Sequence, residues 1–417
     1  MKSLPSIFFM ILLIAYIPFA TNFGIRLIKE DALDFPSFYY ATQLAYKENK
    51  SPYNPQEWKL VQQAYSSKDS DLFPFIYLPP SLLIFYPLSL LNYETARIVM
   101  LVLNHILTFL FLNLMLFKIL AEKPSELFSA FFVVYLFAFF PLAINVYYGQ
   151  INLFILILVC LAWYFTKQNR SPIEIAIPLT LAIALKLYPV LLLIPLVVCK
   201  NYKAVLWTMA LLFILSIGSY LILPSEIWSD WYSFVLTSSF SSQVLGVNIT
   251  NPANQSINGL LSRAFYGHNV RFGPILTPRP QVASMLPFVI SGSVVFISTL
   301  ISYLGKKRQS QEMIDTQFSF WLLVMFMVAP ISWNHHLTLI LPSIFVLIKH
   351  CLDTRANKAL SLVVFGTSLF LAYNFPFNHP AFREEYKTLL ISGQLYAVAL
   401  LWLTTLVLLL RRGKPLT

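Results

Sequence analysis

Apolar residues run through this chain in long unbroken stretches, and polar residues collect in the gaps. The stretches cover 6-23, 97-117, 127-146, 150-166, 172-184, 187-199, 204-223, 284-304, 318-333, 336-349, 358-374 and 388-410. They lack the two-residue alternation of barrel strands, so each predicts a helix. A full membrane crossing needs roughly 20 residues, and several stretches fall short. The short ones come in adjacent pairs, 172-184 with 187-199 and 318-333 with 336-349. Such pairs predict a cavity that dips into the membrane between them. The expected fold is an all-α polytopic membrane bundle of about twelve transmembrane helices, forming a single domain over residues 1-417.

Two long polar segments interrupt this pattern, 24-96 and 224-283. Within the first, residues 75-91 are apolar enough to imitate a span, and counting them would invert every later loop. They carry Pro79, Pro80 and Pro87, which break a crossing helix unless neighbours compensate. The segment is therefore expected to lie in the interface as part of the first outer loop.

Composition narrows the class. The chain is 58% hydrophobic and 11% charged, against roughly 25% charged in soluble domains. Its mean hydropathy is +0.68. The net charge of +11 could suggest nucleic acid, but the basic residues sit in short loops, as the positive-inside rule expects. With the N-terminus inside, the cytoplasmic loops hold Lys118 and Lys123, Lys167 and Arg170, Lys200 and Lys203, Lys306 to Arg308, Lys349 to Lys358, and Arg411 to Lys414. The loop containing Asp34, the 224-283 loop and the 375-387 loop then face outward. The first run follows Lys2 and shows no small-x-small cleavage site, so it is expected to be a retained span. Cys160, Cys199 and Cys351 lie in or beside apolar runs without C-x-x-C spacing and read as small core hydrophobes.

In that topology five scattered patches reach one outer face: Asp34 with Tyr39, Tyr40 and Ser51 to Pro55; Tyr147 to Asn152; Lys186 to Pro189; Asn254 to Arg263; and Ser332 to His336. Their convergence is a stronger signal than any one patch. The ordered motifs are Asp-x-x-x-Tyr-Tyr, Pro-Tyr, Tyr-x-Pro-Pro, Gly-Gln-x-Asn, Lys-Leu-Tyr-Pro, Asn-Gln-Ser and Ser-Trp-x-His-His. With these the chain resembles glycosyltransferase family 87, the polyprenol-phosphate-mannose-dependent α-mannosyltransferases of the GT-C superfamily. The resemblance extends over nearly the whole chain. Asn334 departs from it, standing where many members carry Asp, which bears on acceptor choice. The resemblance implies a GT-C fold, a polyprenyl-phosphate sugar donor and a glycan or glycolipid acceptor. It also implies an inverting mechanism that uses the Asp after the first span. The expected location is a bacterial plasma membrane with the site facing outside, the partners being substrates and lipid bilayer rather than nucleic acid.

The residue chemistry supports the same roles. Transfer from a lipid monophosphate sugar must remove a proton from an acceptor hydroxyl, and a positioned carboxylate can take it. Asp34 is the candidate base; its alternative is a helix N-cap, and Glu30 and Asp31 are the reserve carboxylates. The leaving phosphate calls for cations near the membrane. Lys186, between two apolar runs, is the first candidate, with a snorkelling lysine as the alternative. His335 and His336 are the next; neighbours on a helix point about 100° apart, so one of them is expected to face the site. Arg263 is another, or else a solvated loop cation. Tyr39, Tyr40, Gln150, Asn152, Asn254, Gln255 and Asn334 are the candidates for sugar and acceptor contacts. Gln150 and Asn152 could instead be amides buried between helices. No cofactor is expected, and no metal, because side chains can neutralise one phosphate.

Three other readings stay open. The donor could carry an arabinose-type sugar. A transporter or lipid flippase would show repeated halves, which this sequence lacks. A glycan polymerase or ligase would show paired arginines in a large outer loop, of which Arg271 and Arg279 are a faint echo.

Overall fold

A computed structural model describes residues 6-24, 33-65, 72-120, 125-237, 243-244, 247-267, 275-276, 280-305, 310-354, 358-376, 379-382 and 385-412. Glu30, Asp31, Arg271 and Arg279 lie outside the described residues. All twelve apolar runs are built mainly from helix, and the fold is that of an all-α polytopic membrane protein. The described strands are two-residue pieces, Gln243–Val244 and Val247–Asn248, paired antiparallel.

Helix starts follow local chemistry. Asn92, Ser125, Ser256 and Ser310 each accept a bond from the backbone N–H three residues on, satisfying a donor that the helix leaves open. Ser171 and Glu174 close a reciprocal capping box. The run at 127-146 splits into Glu126–Ala138 and Phe140–Tyr147, bent by 49°. Pro141 begins the second piece; its missing N–H and its ring prevent the first helix from continuing.

The expected count of twelve crossings is not supported by helix length. Among the described residues five helices are long and apolar enough to cross, or six if the bent pair is one span. Several others, including Asn152–Lys167 and Pro172–Leu185, are shorter. The burial pattern is that of a bundle in lipid. The Gln311–Val328 helix is buried on every side from Thr316 to Met327, whereas Tyr202–Ile222 buries little and exposes Leu206, Phe213 and Leu221. Apolar surface on that scale needs a nonaqueous neighbour.

Residues 75-91 contain a nine-residue helix, Ser81–Ser89. At 1.5 Å per residue it spans about 14 Å, half of a bilayer core. It is tied to the Phe35–Lys47 helix by Gln43, which donates to the Ser89 carbonyl, and by Tyr46, which donates to that of Leu82.

The helices have two distinct ends. Asn152, Lys186 and His336 lie at one. At the other, Lys167 bonds Asp315 at 2.8 Å and the Ile119 carbonyl at 2.5 Å, and Trp163 donates to the same Asp315. Lys118, Lys349 and His350 line a cavity of about 650 Å³ there. Lys118, Lys167 and Lys349 therefore lie at the end opposite Asp34, together with Glu312, Asp315 and Asp353; Lys123, Lys306 to Arg308, Arg355 and Lys414 lie outside the described residues.

Candidate active site

A cavity of about 670 Å³ opens at the Asp34 end. Its polar wall carries Asp34, Gln150, Lys186, Asn334, His335 and His336, with Tyr77, Tyr148 and Tyr188 around them. The rest is mostly apolar, with Ile76, Leu78, Phe140, Ile144, Leu187, Val190, Leu191, Trp231 and Val235.

Asp34 sits at the start of Phe35–Lys47 but makes no side-chain capping bond, so the N-cap alternative does not describe it. The helix end is held instead by the Tyr148 carbonyl, which accepts from the N–H groups of both Asp34 and Phe35 at 3.1 Å. Tyr148 can present that carbonyl because the chain reverses at Gly149, whose φ of 65° costs glycine nothing and other residues strain. The same turn brings Gln150 round so that its Nε2 donates to Asp34 Oδ2 at 3.0 Å. The Gln150 Oε1 in turn accepts from the Ile151 backbone N–H at 3.2 Å.

The Asp34 carboxyl is 14% exposed, and His335 Nε2 lies 4.0 Å from it. Burial pushes the Asp34 pKa up to about 6, against the lowering effects of the Gln150 bond and the Lys186 charge. A carboxylate so poised is ionised near neutral pH and a stronger base than an exposed one.

Lys186 ends the Pro172–Leu185 helix in extended geometry, between two short apolar segments. Its Nζ donates to Asn152 Oδ1 at 2.8 Å and is 3.0 Å from His336 Nε2. It also lies 5.5 Å and 5.7 Å from the ring centres of Tyr77 and Tyr188, a distance at which ring faces attract cations. Burial lowers its pKa to about 7, and the Asp34 charge opposes that fall. The described residues engage two of its three donors, leaving one for a ligand. Asn334 Oδ1, His335 Nε2 and Tyr188 Oη are buried at this wall without a hydrogen-bond partner, a state that costs free energy unless a ligand relieves it.

Both histidines line the cavity, against the expectation that one would. They sit in the 3-10 segment Asn334–Ile340 rather than an α-helix, and their rings meet edge to face at 4.7 Å.

Other candidates stand apart from the cavity. Arg263 is neither a solvated cation nor a wall residue. Its guanidinium donates to the carbonyls of Asn251 and Asn254 and to Ser392 Oγ. Asn254 donates to the Ile249 carbonyl and accepts from Ser256 and the Ser332 backbone. Gln255 donates to the carbonyls of Pro252 and Ile391 and accepts from the Leu395 backbone. These three form a clamp that sets the Ser332 to His336 segment in place. Asn152 stands behind Lys186, accepting from it and donating to Asn145. Tyr39 donates to the Leu91 carbonyl, and Tyr40 stacks on Tyr93, so both pack the first loop. Tyr77, Asn251 and Asn374 line the cavity but were not expected there, and Tyr188, within the Lys186 to Pro189 patch, had no expected role. Tyr77 and Tyr188 lay inside the Tyr-x-Pro-Pro and Lys-Leu-Tyr-Pro motifs, while Asn374 had no sequence signal.

With this geometry in place, comparison with known proteins decides the family. The profile described as Glycosyltransferase family 87 matches residues 75–330. The chain belongs to glycosyltransferase family 87. The match covers Gln150 and Lys186; Asp34, His335 and His336 lie beyond it and enter the site by geometry. Among curated proteins the family 87 chain is 23% identical over 287 residues to a Mycobacterium tuberculosis (strain ATCC 25618 / H37Rv) protein named polyprenol-phosphate-mannose-dependent alpha-(1-2)-phosphatidylinositol mannoside mannosyltransferase. That alignment takes in 66% of this chain and 62% of the mycobacterial protein, so the chain spans under two thirds of its relative's length. No solved structure matches.

Proposed function

We propose that this glycosyltransferase moves a hexose, mannose in our reading, from a polyprenyl-phosphate donor to a hydroxyl of a saccharide or glycolipid outside the membrane. One observation carries the reading. The Asp34 carboxylate and the Lys186 ammonium share the polar wall of a cavity whose lining is otherwise mostly apolar. A charged sugar phosphate on a hydrocarbon tail needs such a pairing.

The acceptor hydroxyl gives its proton to Asp34 while its oxygen attacks the anomeric carbon. The bond from that carbon to the phosphate oxygen breaks, and polyprenyl phosphate departs toward Lys186. Attack opposite the leaving group inverts the anomeric centre. An oxygen about 2.8 Å from both Asp34 Oδ2 and His335 Nε2 fits between them, since those atoms are 4.0 Å apart. His335 thus orients the hydroxyl that Asp34 deprotonates. His336 keeps Lys186 in place, and Asn334 offers an unpaired acceptor to a sugar hydroxyl. The activity in the mycobacterial relative's name supports the donor class and mannose. The placement of Lys118, Lys167 and Lys349 at the opposite end supports an outward-facing site.

Membranes carrying the full chain, supplied with radiolabelled polyprenyl-phosphate mannose, test this. Asp34→Asn should cut transfer by about 10²- to 10⁴-fold, with little change in donor affinity at pH 5.5, where Lys186 keeps its proton. Transfer at the wild-type rate by Asp34→Asn would remove the base, and no transfer by wild type would remove mannose.

A further inference from the structure

Behind Lys186 runs a chain of buried side-chain amides that is not part of the active-site wall. Lys186 Nζ donates to Asn152 Oδ1 at 2.8 Å, Asn152 Nδ2 to Asn145 Oδ1 at 2.9 Å, and Asn145 Nδ2 to Asn104 Oδ1 at 3.3 Å. Asn104 Nδ2 ends the chain on the Met100 carbonyl at 3.0 Å. All three asparagines are 0% exposed. They come from three helices, Tyr93–Leu114, Phe140–Tyr147 and Asn152–Lys167.

The two ends fix the direction of every link. An ammonium only donates and a backbone carbonyl only accepts. Asn152 must therefore turn its oxygen to Lys186, which turns its amide to Asn145, and the same logic passes to Asn104. All three amide dipoles point their negative ends at the lysine. Helix packing alone would not require three dipoles in one sense, and buried amides that polarise one another strengthen each bond.

We infer that Asn104 and Asn145 are positioning residues that act through Asn152 to hold Lys186 charged and aimed at the donor phosphate. This rests on the reading of Lys186 as the phosphate ligand. The relay adds to the charge of Asp34, the other group that favours the ammonium. His335, His336, Tyr77 and Tyr188 are the remaining titratable groups that face Lys186; their side chains take no part in the relay, but Asn152 Nδ2 also donates, at a longer 3.4 Å, to the His335 backbone carbonyl.

The test measures binding of polyprenyl phosphate to the full chain in detergent between pH 5.5 and 8.5, which does not depend on the sugar. Asn145→Leu removes the middle link at similar volume. Lys186 then loses its proton at lower pH, so affinity should fall about tenfold at pH 8 and little at pH 5.5. A merely structural defect would lower affinity equally at both. Adding Asn104→Leu to Asn145→Leu should cost nothing more, because a broken relay has no further link to lose. If Asn145→Leu fails to fold, Asn104→Leu carries the test, with about a threefold loss at pH 8 only. A pH-independent loss, full affinity, or additive losses would each overturn the relay. Lys186→Met serves as the control: unchanged affinity there sinks the phosphate assignment itself, whereas weakened affinity with an unaffected Asn145→Leu sinks only the relay.

Discussion

Replacing Lys186 with methionine keeps most of the side chain's volume and removes its charge. The phosphate loses a charge-assisted hydrogen bond, worth about 1.5–3 kcal/mol, or roughly 10- to 150-fold in affinity at 1.4 kcal/mol per decade. Asn152 Oδ1 and His336 Nε2, which now meet the ammonium at 2.8 and 3.0 Å, are left without it, so some stability goes too. A second effect is less obvious. The Lys186 charge is one of the two influences that hold the Asp34 pKa down against burial. Without it Asp34 keeps its proton to higher pH, and the acid limb of the residual activity should move upward. The assay is the initial rate of label transfer at varied donor concentration between pH 5 and 8.5. A donor KM that stays put, or an acid limb that stays put or moves down, would refute the coupling of these two groups in one site.

Other outcomes follow from the same geometry. Wild-type kcat/KM should trace a bell: it rises with pH through about 6 as Asp34 ionises and falls through about 7 as Lys186 loses its proton. Gln150→Leu removes the bond that favours the Asp34 carboxylate, so its acid limb should shift to higher pH in the same rate assay. Gly259→Ala should lower the melting temperature, because the new Cβ would fall 2.6 Å from the Asn254 carbonyl oxygen; overpacking of this kind costs about 1–3 kcal/mol, read by thermal unfolding in detergent.

Sequence pattern carried much of the architecture. The apolar runs marked helices because backbone groups in lipid must bond within their own segment, and the runs at 127 and 172 start just past the caps at Ser125 and Ser171, whereas the helix capped by Asn92 begins at Tyr93, ahead of the run at 97. The number of crossings was harder to see, because a run such as 172-184 reads alike whether it crosses or stops at a cavity. At the site, charge segregation and motif order placed Asp34, Gln150, Lys186 and the histidines on one face, and the structure gathers them around one cavity. What a polar residue bonds was not legible. Arg263, Asn254 and Gln255 looked available for ligand because their partners are backbone carbonyls of residues such as Asn251 and Ile391, which no side-chain pattern reveals. Asn152 looked like a sugar contact because the relay to Asn104 links residues 48 apart, by the difference of their numbers. Tyr39 and Tyr40 looked like a sugar platform, but Leu91 and Tyr93 occupy them.

The most direct measurement is an experimental structure of the Asp34→Asn chain with polyprenyl-phosphate mannose bound. The account predicts a phosphate oxygen within about 3.2 Å of Lys186 Nζ, the lipid along Leu187, Val190 and Leu191, and the anomeric carbon facing residue 34. A phosphate bound elsewhere, or a sugar turned away from residue 34, would contradict it.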